Sequence, residues 1–318
     1  MAFRIANGDL LGNRRVCLHL LELPVALKAC EGLALELEDC AFQNLEKTIV
    51  TDKLEEACKD IDIAFLVASV PLKPGEHRVN LLTKNTPIFK AIGEALSEYA
   101  KPTVRALVVG NPVNSNCLVA MLNAPKLSAE NFSCMCTLDH NRSVSRIASH
   151  LKVPIDHVYH VAVWGNHAET QVPDITHVEV TDENGTHRKA FDELCRIEPE
   201  PDFIEVIAQR AWKVLEMRGK TSAGSAVNAA LCHMRAWLFG TRPNDWISLG
   251  IPVPEGNSYG IKPGIIFSFP CTVDEKGKVH IVENLELNPE IKTKIAQTEK
   301  DLFEERETAL KALAELSK

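Results

Sequence analysis

The chain has 318 residues, 45% hydrophobic and 25% charged, a balance within the globular range and a length suited to about two domains. Its formal charge of -8 leaves no basic stripe of the kind that nucleic acid or an anionic membrane requires, so neither is expected as a partner. No uninterrupted apolar run approaches the roughly 20 residues of a membrane span, and the N-terminus lacks a charged-then-apolar secretory pattern, which predicts a soluble cytoplasmic protein.

Strand-like apolar runs at Val16–Leu23, Ile61–Ser69, Val104–Gly110 and Asn131–Leu138 alternate with helix-period stretches at Val25–Asp39, Leu81–Tyr99 and Cys117–Asn123. That alternation predicts an α/β fold with a doubly wound, mostly parallel sheet over residues 1–136. From about residue 140 the pattern changes. A helix over Asn141–Leu151 precedes strand-like pieces at His157–Trp164 and His177–Val180. Helical stretches at Asp202–Glu216 and Thr221–Phe239 follow, then paired strands near Gly264–Pro270 and Lys278–Val282. This predicts a second, α+β domain over 137–318. It closes on an amphipathic helix, Pro289–Leu316, whose Ile291, Ile295, Leu302, Leu310 and Leu313 form a stripe without a sustained heptad.

Ten cysteines are dispersed singly; the closest pair, Cys134 and Cys136, has neither redox nor zinc-ribbon spacing, and no metal site is expected. Cys17, Cys30, Cys40 and Cys117 stand among apolar neighbours, which predicts small buried hydrophobes in a reducing compartment.

In an open parallel sheet ligands bind beyond the carboxyl ends of the strands, so polar residues there are the ones to question. Glu22 ends the first strand, where its carboxylate can accept both ribose hydroxyls of an adenine nucleotide and repel a 2′-phosphate, which favours NAD over NADP. The run from Val161 to His167 takes an apolar strand into a Gly-Asn turn that presents a histidine, the side chain best suited to proton exchange near neutrality. Asp139 and Arg142, three apart at a helix start, share one face. They form either a surface ion pair beside a structural histidine, or a carboxylate that orients His167 and a guanidinium that grips a substrate carboxylate through two parallel hydrogen bonds.

Taken in order, Gly110-Asn-Pro-Val-Asn114, Leu138-Asp-His-Asn-Arg142 and Val163-Trp-Gly-Asn-His167 resemble the cytosolic-type malate dehydrogenases of the lactate/malate dehydrogenase superfamily. Phe3–Gly8, Leu35–Phe42 and Gly256–Gly260 extend the likeness almost end to end. The resemblance implies a homodimeric, NAD-dependent dehydrogenase of small 2-hydroxy acids. His167 would exchange the proton, with Asp139 as its partner. Arg142 would bind the substrate carboxylate, and Arg78 would polarise the carbonyl from a loop that closes over the site. Asn111 would hold substrate near the nicotinamide, and Ser225 would line the pocket.

Two departures stand out. The loop motif Val70–Arg78 carries Leu72 where the malate enzymes carry the arginine that pairs with the second carboxylate of oxaloacetate, as in the trichomonad lactate dehydrogenases. Leu72 therefore favours pyruvate and L-lactate. Malate dehydrogenase activity, with Lys73 or His77 reaching the distal carboxylate, is the alternative. The second departure is that the first strand, with its Gly-rich nucleotide turn, is missing from the pattern, which would leave two unpaired edges in the core of the sheet. Three explanations compete: a true start upstream of Met1, a degenerate paralogue that acts as a binding or dimerising protein, or a partner segment that completes the site.

Overall fold

The computed structural model describes residues 1–67, 69–70, 78–196 and 203–316. The chain opens with α1 (Ala2–Ala6), β1 (Val16–Leu21), α2 (Leu27–Asp39), β2 (Leu45–Thr51), α3 (Leu54–Cys58) and β3 (Ile63–Leu66). Then come α4 (Arg78–Tyr99), β4 (Arg105–Val108), α5 (Val113–Leu122), β5 (Phe132–Cys134) and α6 (Thr137–Leu151). Short strands follow: β6 (Val158–Tyr159), β7 (Ala162–Trp164), β8 (Val172–Asp174), β9 (Glu179–Thr181) and β10 (His187–Lys189). The remainder is α7 (Phe191–Arg196), α8 (Phe203–Ala208), α9 (Arg210–Arg218), α10 (Gly224–Phe239), β11 (Ile247–Pro252), β12 (Ile266–Val273), β13 (Val279–Ile281) and α11 (Pro289–Leu316). Among the described residues no helix is long and apolar enough to cross a membrane.

The expected α/β architecture is present, with its parallel sheet divided. β1 and β2 pair in parallel as a sheet of their own, while β3, β4 and β5 run parallel in a six-stranded sheet ordered β13-β12-β11-β5-β4-β3. Among the described residues no strand joins β1 to β3. Their side chains Val16, Leu18, Ile63 and Phe65 nevertheless share one cluster with Ile5, Leu10 and α10 residues such as Met234 and Trp237. β11 joins β5 antiparallel, so the second half of the chain continues the sheet that the first half begins. α4, α5 and the end of α11 cover one face around Phe89, Leu96, Cys117 and Ala309.

Several boundaries shift from the sequence reading. β1 stops at Leu21, before Glu22. β5 spans only three residues because the chain enters α6 at Thr137, four residues earlier than the periodicity indicates. β2 was not expected: its first half, Leu45-Glu-Lys, is polar and half-exposed, and only Thr48–Thr51 carries the β-branched signature. The long strand-like run after His157 is two strands, parted at His160, whose φ of +61° turns the chain. Cys17 and Cys40 are exposed, contrary to expectation, whereas Cys117 is fully buried. Cys17 alternates outward on a two-stranded ribbon, and Cys40 lies just beyond α2, so apolar neighbours in sequence do not cover either thiol.

Candidate active site

β7 is buried throughout, and it runs straight into Gly165, whose φ is +91°. Gly165 exchanges backbone hydrogen bonds with Ser268 of β12, Gly165 N to Ser268 O at 3.1 Å and Ser268 N to Gly165 O at 2.8 Å, so the turn hangs from the central sheet. A side chain at this glycine would collide with Thr298 of α11, its Cβ falling 2.3 Å from Cγ2. The next two residues lead out to His167, whose ring is 11% exposed.

Asp139 sits in the first turn of α6, where the unsatisfied backbone N–H groups favour a carboxylate. It is completely buried, yet both oxygens are engaged: Oδ2 accepts from His167 Nδ1, and Oδ1 accepts from Arg142 Nη1 at 3.0 Å. This excludes the surface-pair reading. Arg142 is itself only 11% exposed, and taking such charges out of water costs several kcal/mol per ion unless each is paired and hydrogen-bonded. A carboxylate bracketed in this way fixes the imidazole with Nδ1–H toward Asp139 and Nε2 turned away, ready to exchange a proton with a bound oxygen. It also leaves guanidinium nitrogens of Arg142 for an anion on the same side of α6.

The other expected residues lie on separate elements. Asn111 is exposed at the carboxyl end of β4, just before α5, and its peptide bond to Pro112 is cis. Ser225 is exposed in the first turn of α10. Glu22 is exposed just past β1, with Oε1 accepting from Leu23 N at 2.8 Å. Leu72, Lys73 and His77 fall outside the described residues. Arg78 is the first residue of α4, and the expectation for its side chain falls outside them as well.

Three further residues at the site are given no role by the sequence, although Asn114 closes the Gly110–Asn114 motif. Asn114, on α5, accepts from His167 N through Oδ1 at 3.0 Å. Thr298, on α11, accepts from Asn166 N at 3.0 Å. Trp212, on α9, donates from its indole to Glu169 Oε1 at 3.0 Å, tying that helix to the rim of the His167 turn. Only the folded chain brings them there, across sequence separations of 53, 132 and 43 residues.

The donor set fits a dinucleotide at its two ends: an exposed carboxylate beyond β1 suits a ribose diol, and an exposed amide beyond β4, on the turn that leads to Asn114, suits the reacting end. Residues 1–133 match the lactate/malate dehydrogenase NAD binding domain, and residues 136–313 match the lactate/malate dehydrogenase alpha/beta C-terminal domain. Among solved structures, the Trichomonas vaginalis lactate dehydrogenase in complex with NADH and oxamate is 50% identical, covering 99% of this chain and 95% of that one with a TM-score of 0.94. The malate dehydrogenase of Naegleria fowleri is 37% identical, covering 98% of this chain and 93% of that one with a TM-score of 0.90. With both halves matched and the His167–Asp139–Arg142 cluster assembled where the two meet, the chain belongs to the lactate/malate dehydrogenase family, whose cofactor is NAD.

Proposed function

We propose that this protein is an NAD-dependent L-lactate dehydrogenase that interconverts pyruvate and lactate, with residues 1–136 holding the cofactor and residues 137–318 most of the substrate. The observation that carries the reading is the buried Asp139, which engages His167 with one oxygen and Arg142 with the other. When bound, the reduced cofactor supplies a hydride to the carbonyl carbon. Glu22 holds its adenine ribose hydroxyls and Asn111 its nicotinamide end. Arg142 binds the carboxylate of the 2-oxo acid, which places the adjacent carbonyl oxygen at His167 Nε2. His167 delivers the proton to that oxygen, and Asp139 stabilises the imidazolium form that makes it available. Arg78 polarises the same carbonyl, and Ser225 lines the pocket.

Leu72 sets the preference for a methyl group. Oxaloacetate would place its second carboxylate against an apolar side chain, and an uncompensated buried charge costs about 3–5 kcal/mol. Malate dehydrogenase activity, with Lys73 or His77 meeting that charge, is the competing reading, supported by the 37% likeness to the Naegleria enzyme. Steady-state NADH oxidation with pyruvate and with oxaloacetate at equal concentrations decides between them. Faster turnover of pyruvate supports the lactate reading; faster turnover of oxaloacetate overturns it. No turnover with either, and no thermal stabilisation by NADH, would instead support a paralogue that has lost the reaction. Dimerisation and a cytoplasmic setting complete the proposal, the first from family likeness and the second from free, dispersed cysteines.

A further inference from the structure

His167 is held by its backbone as well as by its ring. The two N–H groups that lead into it, of Asn166 and His167, are taken by side chains and not by backbone carbonyls. Each is taken by a side chain from a different helix. Thr298 Oγ1 accepts from Asn166 N at 3.0 Å, and Asn114 Oδ1 accepts from His167 N at 3.0 Å. The Asn114 amide also donates to Ile266 O at 3.0 Å and to Gly165 O at 3.4 Å, so this one side chain spans the turn from Gly165 to His167 and anchors it to β12. Asn114 and Thr298 are 1% and 0% exposed, so no water substitutes cheaply for either.

The packing is equally tight. The Thr298 side chain fills the space a Cβ would need at Gly165, so the absence of that atom and the presence of the hydroxyl are two halves of one fit. A second pair reinforces it one turn along α11: Asp301 Oδ2 accepts from Thr170 Oγ1 at 2.7 Å, and Thr170 accepts from Asn166 Nδ2 at 2.8 Å. Asn114 lies in the first turn of α5, three residues after Asn111. The residue proposed to hold the nicotinamide end and the residue that holds His167 therefore share one turn of backbone.

We propose that Asn114 and Thr298 are positioning residues for the reaction: by gripping two consecutive backbone N–H groups they set the distance of His167 Nε2 from the substrate oxygen. Asp139 fixes the orientation of the ring, and the clamp fixes the position of its Cα. The inference rests on the acid–base role proposed for His167. Its cost when broken is that of misplacing a proton donor by a fraction of an ångström or more, not that of losing a binding contact.

The test compares Thr298→Val, which keeps the shape and removes the acceptor, with Thr298→Ser, which keeps the acceptor. In pyruvate reduction Thr298→Val is expected to lower kcat roughly 10–100-fold, with KM for pyruvate within about threefold of wild type. Thr298→Ser is expected to retain kcat within about threefold, because the hydroxyl that accepts from Asn166 survives. A readout free of turnover accompanies it: the downfield proton resonance of the His167 Nδ1–H bonded to Asp139, assigned by its loss in His167→Asn. That resonance should shift or broaden in Thr298→Val and stay in place in Thr298→Ser. An unchanged kcat in Thr298→Val, an equal loss in both variants, or a change in KM alone overturns the clamp, as does an unmoved resonance. Should His167→Asn keep full turnover, the acid–base reading itself fails, and the resonance comparison still decides whether the clamp positions the ring.

Discussion

At the scale of single residues the site is an arrangement of charges around one buried carboxylate. Replacing His167 by Asn removes the proton donor while leaving Arg142 paired with Asp139, so kcat for pyruvate reduction should fall by about 10²–10⁴, the range of a positioned acid–base group. NADH should still raise the melting temperature, because its proposed contacts at Glu22 and Asn111 are untouched. Turnover within threefold of wild type would remove His167 from the mechanism. Substrate choice rests on a different residue. Leu72→Arg supplies a partner for the second carboxylate, and recovering about 3–5 kcal/mol corresponds to roughly 10²–10³-fold or more in kcat/KM for oxaloacetate relative to pyruvate. A ratio that moves by less than tenfold would show that another group already meets that charge. His167, Asp139 and Arg142 were legible as candidates, but their short runs left a surface ion pair beside a structural histidine open, and only the family resemblance gave them roles. Asn114 closed a quoted motif without a role, and Thr298 had no signal, since a buried threonine in a helix reads as ordinary until the turn it serves is packed against it.

At the scale of elements, the helices were easier to read than the strands. α11 runs over the predicted Pro289–Leu316 because an apolar stripe recurs across eight turns, and Ile291, Ile295 and Leu302 are buried as the stripe requires. Leu310 and Leu313 are only half-buried, Leu313 packing at the margin of the core beside α5. β6 to β10 have two or three residues each, too few for an alternating pattern to rise above its surroundings. The end of α6 depends on a detail that periodicity does not carry. Lys152 closes the helix at φ +54°, ψ +42°: its own N–H makes the last helical bond, to Ala148 O, and Val153 N–H turns back to the same carbonyl at 3.0 Å instead of continuing the helix. The left-handed conformation costs a residue with a Cβ about 1–2 kcal/mol, partly offset by the greater freedom glycine gains when unfolded. Lys152→Gly should therefore stabilise the protein by about 0.5–1 kcal/mol, seen as a higher urea midpoint with an unchanged slope. A lower midpoint would mean that the lysine side chain contributes more than the backbone strain costs.

Across the whole molecule, the two halves are joined by buried polar groups as well as by the shared sheet, and this makes the fold sensitive to acid. His233 of α10 lies between Ser133 Oγ of β5 at 2.9 Å and Thr137 Oγ1 of α6 at 3.0 Å, and those hydroxyls reach the carbonyls of Gly250 and Ser248 on β11. His140, next to Asp139, bonds through Nδ1 to Ser248 Oγ at 3.2 Å. Burial pushes the His233 imidazole down to about 3 and His140 down to about 4, so both stay neutral in the folded protein at pH values where they are charged in the unfolded chain. The sign follows directly. Below the ordinary histidine value of about 6.5 the unfolded state binds more protons, so stability falls as pH falls, by about 1.4 kcal/mol per pH unit for each group. The loss continues to about pH 4 for His140 and about pH 3 for His233. Between pH 6.5 and pH 5 the two together remove about 3 kcal/mol, a large part of the roughly 5–15 kcal/mol that holds a typical domain folded. Urea unfolding free energies measured from pH 7.5 to 5 should be flat above neutrality and fall below it with a slope approaching two protons. His233→Asn should reduce that slope by one proton whatever it does to stability at neutral pH. A slope near zero would mean that both rings are already charged in the fold, where Ser133 and Thr137 each accept from a ring N–H of His233 while donating to Gly250 O and Ser248 O; a neutral ring has one N–H, so one of the two hydroxyls donates to it instead of to β11.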